Sequence, residues 1–227
     1  MSEHPILFNG PMVRAILDGR KTQTRRVVKL PPGFDFNGGM GADPNDPSHW
    51  TAEDDSGQWW TLGPADERFH SWPCPFGRPG ERLWVRETWQ GPLVSEQEMD
   101  EDGYWARNIA RYQDTAHCVY AADGAAAPEW VDADGELPRG WRPSIHMPRW
   151  ACRLLVEITA VRVERLHAIS EADAVAEGID HERMNGYALA GRHRSAGFAF
   201  QDLWTSTGGT WVSNPWVWVI EFKRIQA

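Results

Sequence analysis

Between Gly19 and Arg26 the chain places a lysine, two threonines and three arginines in one run, Gly-Arg-Lys-Thr-Gln-Thr-Arg-Arg. Such a run carries cations and hydroxyls with few apolar groups to bury it, so it suits an anionic or polar ligand better than a core. Arginine stays protonated, whereas a lysine amine partly buried beside other cations can lose its proton and act as a base. Lys21 stands out for that reason, because the only other lysines are Lys29 and Lys223. Thr24 adds a hydroxyl able to attack a carbonyl or to orient a water.

The elements around the run would hold it at a helix exit. Pro11 to Asp18 reads as a short amphipathic helix, with proline in its first turn and Gly19 as the left-handed residue that closes it. The run then continues into an expected strand. Charge is distributed unevenly. From Arg14 to Lys29 there are six basic residues against the single acid Asp18, and from Leu30 to Glu67 eight acids with no lysine or arginine. A local basic patch on a chain of net charge -9 can hold a phosphate-bearing or single-nucleotide ligand, but argues against tight nonspecific duplex binding.

A chain of 227 residues can bury a substantial core. Cys74, Cys118 and Cys152 are too widely spaced for a disulfide framework or a CxxC metal site. His70 with Cys74, and His117 with Cys118, do not assemble four ligands, so no metal and no cofactor is expected. Without a signal peptide or an apolar run of membrane length, the expectation is a reduced, cytoplasmic protein with no membrane partner. Most of the fourteen tryptophans should anchor core and loops, Trp89 and Trp216 among them.

Residues 31–72 are rich in Gly, Pro, Asp and Ser and read as a long loop. Alternation from Gly80 to Trp89 predicts a strand, in which Arg86 and the neighbouring Glu87 face opposite ways, with an ordinary ion pair as their plain role. Residues 91–103 read as an acidic surface stretch, 117–121 as a short strand and 125–139 as an excursion. The longest strand signal runs from Arg149 to Leu166. Ser170 to Asp173 then looks like a capping box for a helix stopped by Gly178. Residues 181–193 read as a polar loop, Phe198 to Trp204 as a helix ending near Gly208, and Trp216 to Phe222 as a closing strand. Strands first and last, helices between and no βαβ alternation indicate an α+β fold around a small antiparallel or barrel-like sheet.

These landmarks together resemble the ASCH domain of the PUA-like β-barrel superfamily. The resemblance rests on four blocks in order. They are Gly19, Lys21, Thr24 and Arg26 against the signature GxKxxExR, the strand Gly80 to Arg86, the long strand with the helix to Gly178, and Trp218 to Lys223. They cover roughly half of the chain. The resemblance implies a single domain with insertions at about 31–72, 90–148 and 181–215. Thr24 stands where many ASCH domains carry glutamate, and that variant is similar to small bacterial N(4)-acetylcytidine amidohydrolases. By position, their lysine, threonine and glutamate fall on Lys21, Thr24 and Glu177. The block Trp141 to Trp150 is similar to one found in longer phage and prophage proteins of this kind.

The resemblance thus implies metal-free hydrolysis of N(4)-acylated cytidine or a related modified nucleoside, with Lys21, Thr24 and Glu177 catalytic. Either Lys21 or Glu177 takes the proton, and Thr24 either attacks or positions water. Arg20, Arg26, Arg86, Ser144 and His146 are expected to bind substrate. Two other classes compete: a non-catalytic module binding RNA, single-stranded DNA or a modified base, and a nuclease. A plainer reading makes the cationic run a solvated ribbon paired with the acidic 35–67 segment, and leaves Glu177 exposed at a helix end.

Overall fold

The computed structural model describes residues 2–29, 43–104, 106–129, 140–191, 193 and 195–225. The fold is α+β, with ten strands in open sheets and five α-helices among the described residues. The chain divides into two compact units: Met1–Gly19, Glu81–Glu157 and Arg224–Ala227 form the first, Arg20–Gly80 and Ile158–Lys223 the second. No described helix is long and apolar enough to cross a membrane.

In the first unit, β1 (Glu3–Leu7) runs parallel to β6 (Arg82–Arg86), with Ile6 opposite Val85. On its other side β6 pairs antiparallel with the start of β9 (Leu155–Arg165), Leu83 opposite Val156. Leu83 and Val85 are fully buried while Trp84 and Arg86 between them are half-buried, the period of two that the sequence predicts. Helix α1 (Gly10–Leu17) starts where the Asn9 side chain accepts from the Met12 N–H and stops at Asp18, before Gly19 turns at φ 74°. The core of this unit gathers Met147, Ala151 and Leu155 around a short ribbon of β7 (Trp89–Gln90) and β8 (Val119–Tyr120).

In the second unit, β2 (Gln23–Val27) pairs antiparallel with β10 (Trp216–Ile225), Thr24 opposite Ile220 and Arg25 opposite Val219. Helices α3 (Glu171–Ala176) and α5 (Ser195–Ser206) share a core with Val217 and Val219, filled by Leu166, Ile169, Ala199 and Phe200. Both oxygens of the Glu171 carboxylate accept from the first N–H groups of α5, Ala196 and Gly197, at 2.9 Å each, so one helix caps the next.

Several expectations are corrected. The segment expected as loop over 31–72 contains β3 (Thr51–Glu53), β4 (Trp59–Thr61) and β5 (Phe69–Ser71) in one sheet, while its residues 31–42 lie outside the described residues. Strands of three residues are too short to display alternation. Side chains hold them instead: Asp54 accepts from Ser56, Gln58 and the Trp60 indole, and Trp50, Trp60 and Trp72 meet edge to face. The expected loop over 181–193 holds α4 (His181–Leu189), begun by the Asp180 side chain. Its polar sequence hid it, since only Met184 and Tyr187 lean on the core and none of its residues is fully buried. The acidic stretch at 91–103 includes α2 (Glu96–Glu101), with a capping box between Ser95 and Glu98. The long strand starts at Leu155 rather than Arg149, because Arg149–Ala151, just after Pro148, forms a 3-10 turn. The expected strand at 117–121 is confined to β8, and the excursion at 125–139 falls largely on residues 130–139, outside those described.

Two measurable consequences follow from this packing. A Cβ on Gly209 would lie 2.3–2.6 Å from the Trp204 indole, so Gly209→Ala should lose roughly 1–3 kcal/mol in urea denaturation. The second concerns His117, whose ring nitrogens contact Glu98 at 2.9 Å and Asp114 at 2.8 Å. Those hydrogen bonds raise His117 above its ordinary 6.5, while Ser95 and His117 hold Glu98 down to about 2. The folded state then binds more protons at His117 than the unfolded chain does, so its contribution is complete below 6.5 and is lost as pH rises through the raised value. The Glu98 contribution is lost only as pH falls toward about 2. The melting-temperature gap between wild type and His117→Gln should therefore be wide at about pH 5.5 and close by about pH 9.

Candidate functional site

Lys21 and Glu177 lie 156 positions apart and meet in the second unit. Glu177 closes α3: its N–H bonds the Asp173 carbonyl, and Gly178 then turns the chain at φ 90°. Its backbone forms an isolated antiparallel bridge with Lys21, and the neighbouring Thr22 N–H donates to the Ala176 carbonyl at 2.9 Å. Lys21 Nζ donates to Glu177 Oε2 at 2.8 Å, to the Glu177 carbonyl at 2.9 Å and to the Gln23 carbonyl at 2.7 Å. Three acceptors match the three N–H bonds of an ammonium. Lys21 is 1% exposed and Glu177 3%.

Arg25 joins them. Its side chain is fully buried, with Nη1 3.2 Å from Glu177 Oε1 and Nη2 3.0 Å from Glu164 and 3.4 Å from Asp173. Arg162 extends the chain of charges to Glu164, to Glu221 and, at 3.2 Å, to Asp173. The plainer reading of a solvated cationic ribbon facing the 35–67 segment does not describe this arrangement. Lys21 and Arg25 are buried against carboxylates of β9 and α3, and the expectation of an exposed Glu177 is overturned by its burial at the helix end.

Burial lowers the Lys21 amine below the ordinary lysine value; the Glu177 charge and hydrogen bond oppose this, and Arg26 and Arg25 add to it. Burial also lowers Arg26, against the pull of Glu177. Burial works against the charge of Asp173, but the Ser170 hydroxyl, Arg25 and Arg162 outweigh it and hold its pKa below the ordinary range. Gln23 Nε2 also favours the ionised Asp173, although it makes no hydrogen bond of good geometry.

Thr24 is 1% exposed and belongs to the face of β2 opposite Gln23 and Arg25. Arg26 shares its face, half-buried, with Nη1 on the Arg25 carbonyl at 3.3 Å. Arg20 is exposed and reaches the Gly178 carbonyl at 3.2 Å. Arg86, Ser144 and His146 belong to the first unit, where Arg86 donates to the Ile145 carbonyl inside the 3-10 turn Ser144–His146. Arg86 does not pair with Glu87. Glu87 is 1% exposed and takes both arms of Arg153, at 2.9 and 3.0 Å, with its pKa raised by burial beyond what Arg153 offsets. Trp89 and Trp216 are buried, as their size suggests. All three cysteines are free thiols, and no metal-holding cluster of His, Cys, Asp and Glu occurs among the described residues.

Glu164, Asp173 and Arg162 were not anticipated as partners of the run. The signal for two of them was present, since Arg162 and Glu164 alternate on one face of β9 as Gln23 and Arg25 do on β2. Compared with protein-family models, curated proteins and solved structures, the chain matches none of them.

Removing one member of a buried pair strands the other. Glu177→Ala or Lys21→Ala should each cost about 3–5 kcal/mol in urea denaturation. The variant Lys21→Met with Glu177→Leu should cost less than the sum of its single changes, and additivity of the two would mean that the contact carries no coupling.

Proposed function

We propose that the chain is an ASCH-like protein, built on a PUA-like barrel scaffold, that hydrolyses an N(4)-acylated cytidine or a closely related modified nucleoside without a metal. The observation that carries this reading is the contact of Lys21 Nζ with the Glu177 carboxylate at 2.8 Å, next to a strand bearing Thr24. The lysine, the threonine three positions after it and a helix-end glutamate 156 positions away are the three groups the resemblance singles out, and the lysine and glutamate are in contact.

In this mechanism Thr24 supplies or positions the attacking oxygen. Thr24 lies on the face of β2 away from the Lys21–Glu177 pair, so the pair takes its proton through an intervening water as the bond to the acyl carbon forms, and returns it to N4 by the same route as the C–N bond breaks. Water is consumed, and cytidine and a carboxylate leave. Arg26, on the same strand face as Thr24, holds the oxygen that becomes negative. An amine lowered by burial and tied to a carboxylate gives up and regains a proton more readily than an exposed lysine. The burial of Thr24 requires that substrate entry displace a neighbouring segment.

A second reading has its own support. Lys21 and Glu177 are almost wholly buried and mutually bonded, as in a clamp that fastens α3 to β2. A non-catalytic nucleic-acid or modified-base binder would use the charges that way. One experiment separates them. Purified protein is incubated with N(4)-acetylcytidine and loss of the acyl chromophore is followed. Wild type should turn over, and Thr24→Val and Glu177→Gln, checked for folding by circular dichroism, should lose about 100-fold or more in kcat/KM. A wild type that folds and leaves the substrate intact would sink the hydrolase and leave the clamp.

A further inference from the structure

The second unit also contains a recess that the Lys21 chemistry does not use. It is lined by His167, Ile169, Gly197, Phe198, Gln201 and Trp211 and encloses about 350 Å3 of space, its open mouth included. The cavity proper is about 100 Å3, below the ~300–1,000 Å3 of pockets for drug-sized ligands and room for no more than one ring system.

Its walls are arranged for a flat ring. The His167 ring stacks on Trp211 with centroids 4.6 Å apart and planes 28° from parallel. The stack is fixed at both ends: His167 Nε2 lies 2.9 Å from the Trp211 carbonyl, and the His167 N–H donates to Asn214 Oδ1 at 2.8 Å. A carbonyl oxygen only accepts, so Nε2 bears a proton in this contact. Phe200 meets Trp211 edge to face at 6.2 Å between centroids, and Trp211 packs against the core cluster that holds Phe200. Phe198 is steadied by its stack on Tyr187, with centroids 5.9 Å apart. A platform held this firmly loses little freedom when a ring lands on it.

Gln201 supplies the polar edge. Among the described residues no hydrogen bond occupies its side-chain amide, while its own carbonyl is taken by the Thr205 hydroxyl. A carboxamide offers a donor and an acceptor side by side, the pattern that pairs with an amide-like or amidine-like ring edge. Aromatic faces with one unpaired carboxamide describe a site for a nucleobase, not for a hydrocarbon or a free anion.

We propose that this recess binds the ring of a nucleobase, stacked against the aromatic wall with its hydrogen-bonding edge on Gln201. The proposal stands independently of the hydrolase reading, because none of its residues takes part in that chemistry. The test uses the full chain and four probes, cytidine, uridine, adenosine and guanosine, titrated into 15N-labelled protein. The indole N–H signal of Trp211, assigned by its loss in Trp211→Leu, should shift saturably with at least one of them. Gln201→Leu, a change at a half-buried helix position, should weaken that binding about 3-fold or more, and Trp211→Leu, followed through the shifting backbone amide signals of Gly197 and Gln201, about 5- to 150-fold. No saturable shift with any nucleoside overturns the proposal. So does binding unchanged in both variants, and so does a site that takes benzene as tightly as the nucleosides and is indifferent to Gln201→Leu.

Discussion

The second unit depends on one electrostatic constraint: Lys21, Arg25 and Glu177 are out of water together, and none can be so without the others. Taking a single charge of this size from water into the protein costs several kcal/mol even after relaxation, more than most other local interactions can offset. The structure meets that cost with geometry. Lys21 finds an acceptor for each of its three protons, and Arg25 divides its guanidinium between Glu177 and the carboxylates of Glu164 and Asp173. The position of α3 follows, because Glu177 reaches Lys21 only if the helix ends where Gly178 allows the chain to turn. The register of β2 against β10 follows too. A slip of one residue would carry Arg25 to the far face and bring Thr24 or Arg26 against the carboxylates.

The two faces of β2 are thereby given different work. Gln23 and Arg25 face the packed carboxylates and helices, with Val219 opposite Arg25 belonging to the same core. Thr24 and Arg26 take the other face, opposite Ile220 and Trp218. Arg26 still feels the Glu177 charge, so the electrostatic influence of the buried cluster extends past the strand on which it is built. A hydroxyl and a guanidinium thus share one face of β2, and the buried ion pair of Lys21 and Glu177 belongs to the other.

Legibility in the sequence followed the physics of each element. The β6 strand was plain because Leu83 and Val85 alternate with half-buried neighbours, and α3 was plain because Ser170 and Asp173 signal its start. The meeting of Lys21 with Glu177 came from a resemblance, since a contact across 156 positions leaves no periodic trace. The three-residue strands β3 to β5 stayed hidden because tryptophan packing and the Asp54 loop hold them, and neither has a sequence period. Helix α4 was hidden for the opposite reason: its surface is polar nearly all round, and Asp180 was the one start signal. Glu87 was misjudged because adjacency to Arg86 suggested a pair, whereas a strand turns neighbours apart and Arg153 arrives from far along the chain.

Burial gives the Lys21–Glu177 pair its chemical value and also restrains it. In water a lysine of ordinary pKa holds its proton too firmly to exchange it at neutral pH; desolvation brings the amine down, and the carboxylate limits how far. The three acceptors around Nζ suit the ammonium, so the resting pair is ionic, and deprotonation must break or weaken one of those contacts. The Glu177 side-chain contact is the one free to change, because the Gln23 and Glu177 carbonyls are fixed by the backbone. Transfer of a proton from Lys21 toward Glu177 would neutralise both partners and leave Arg25 to balance Glu164 and Asp173. Ionic or neutral, the pair carries no net charge, so the surrounding network of Arg25, Glu164 and Asp173 keeps its balance around it.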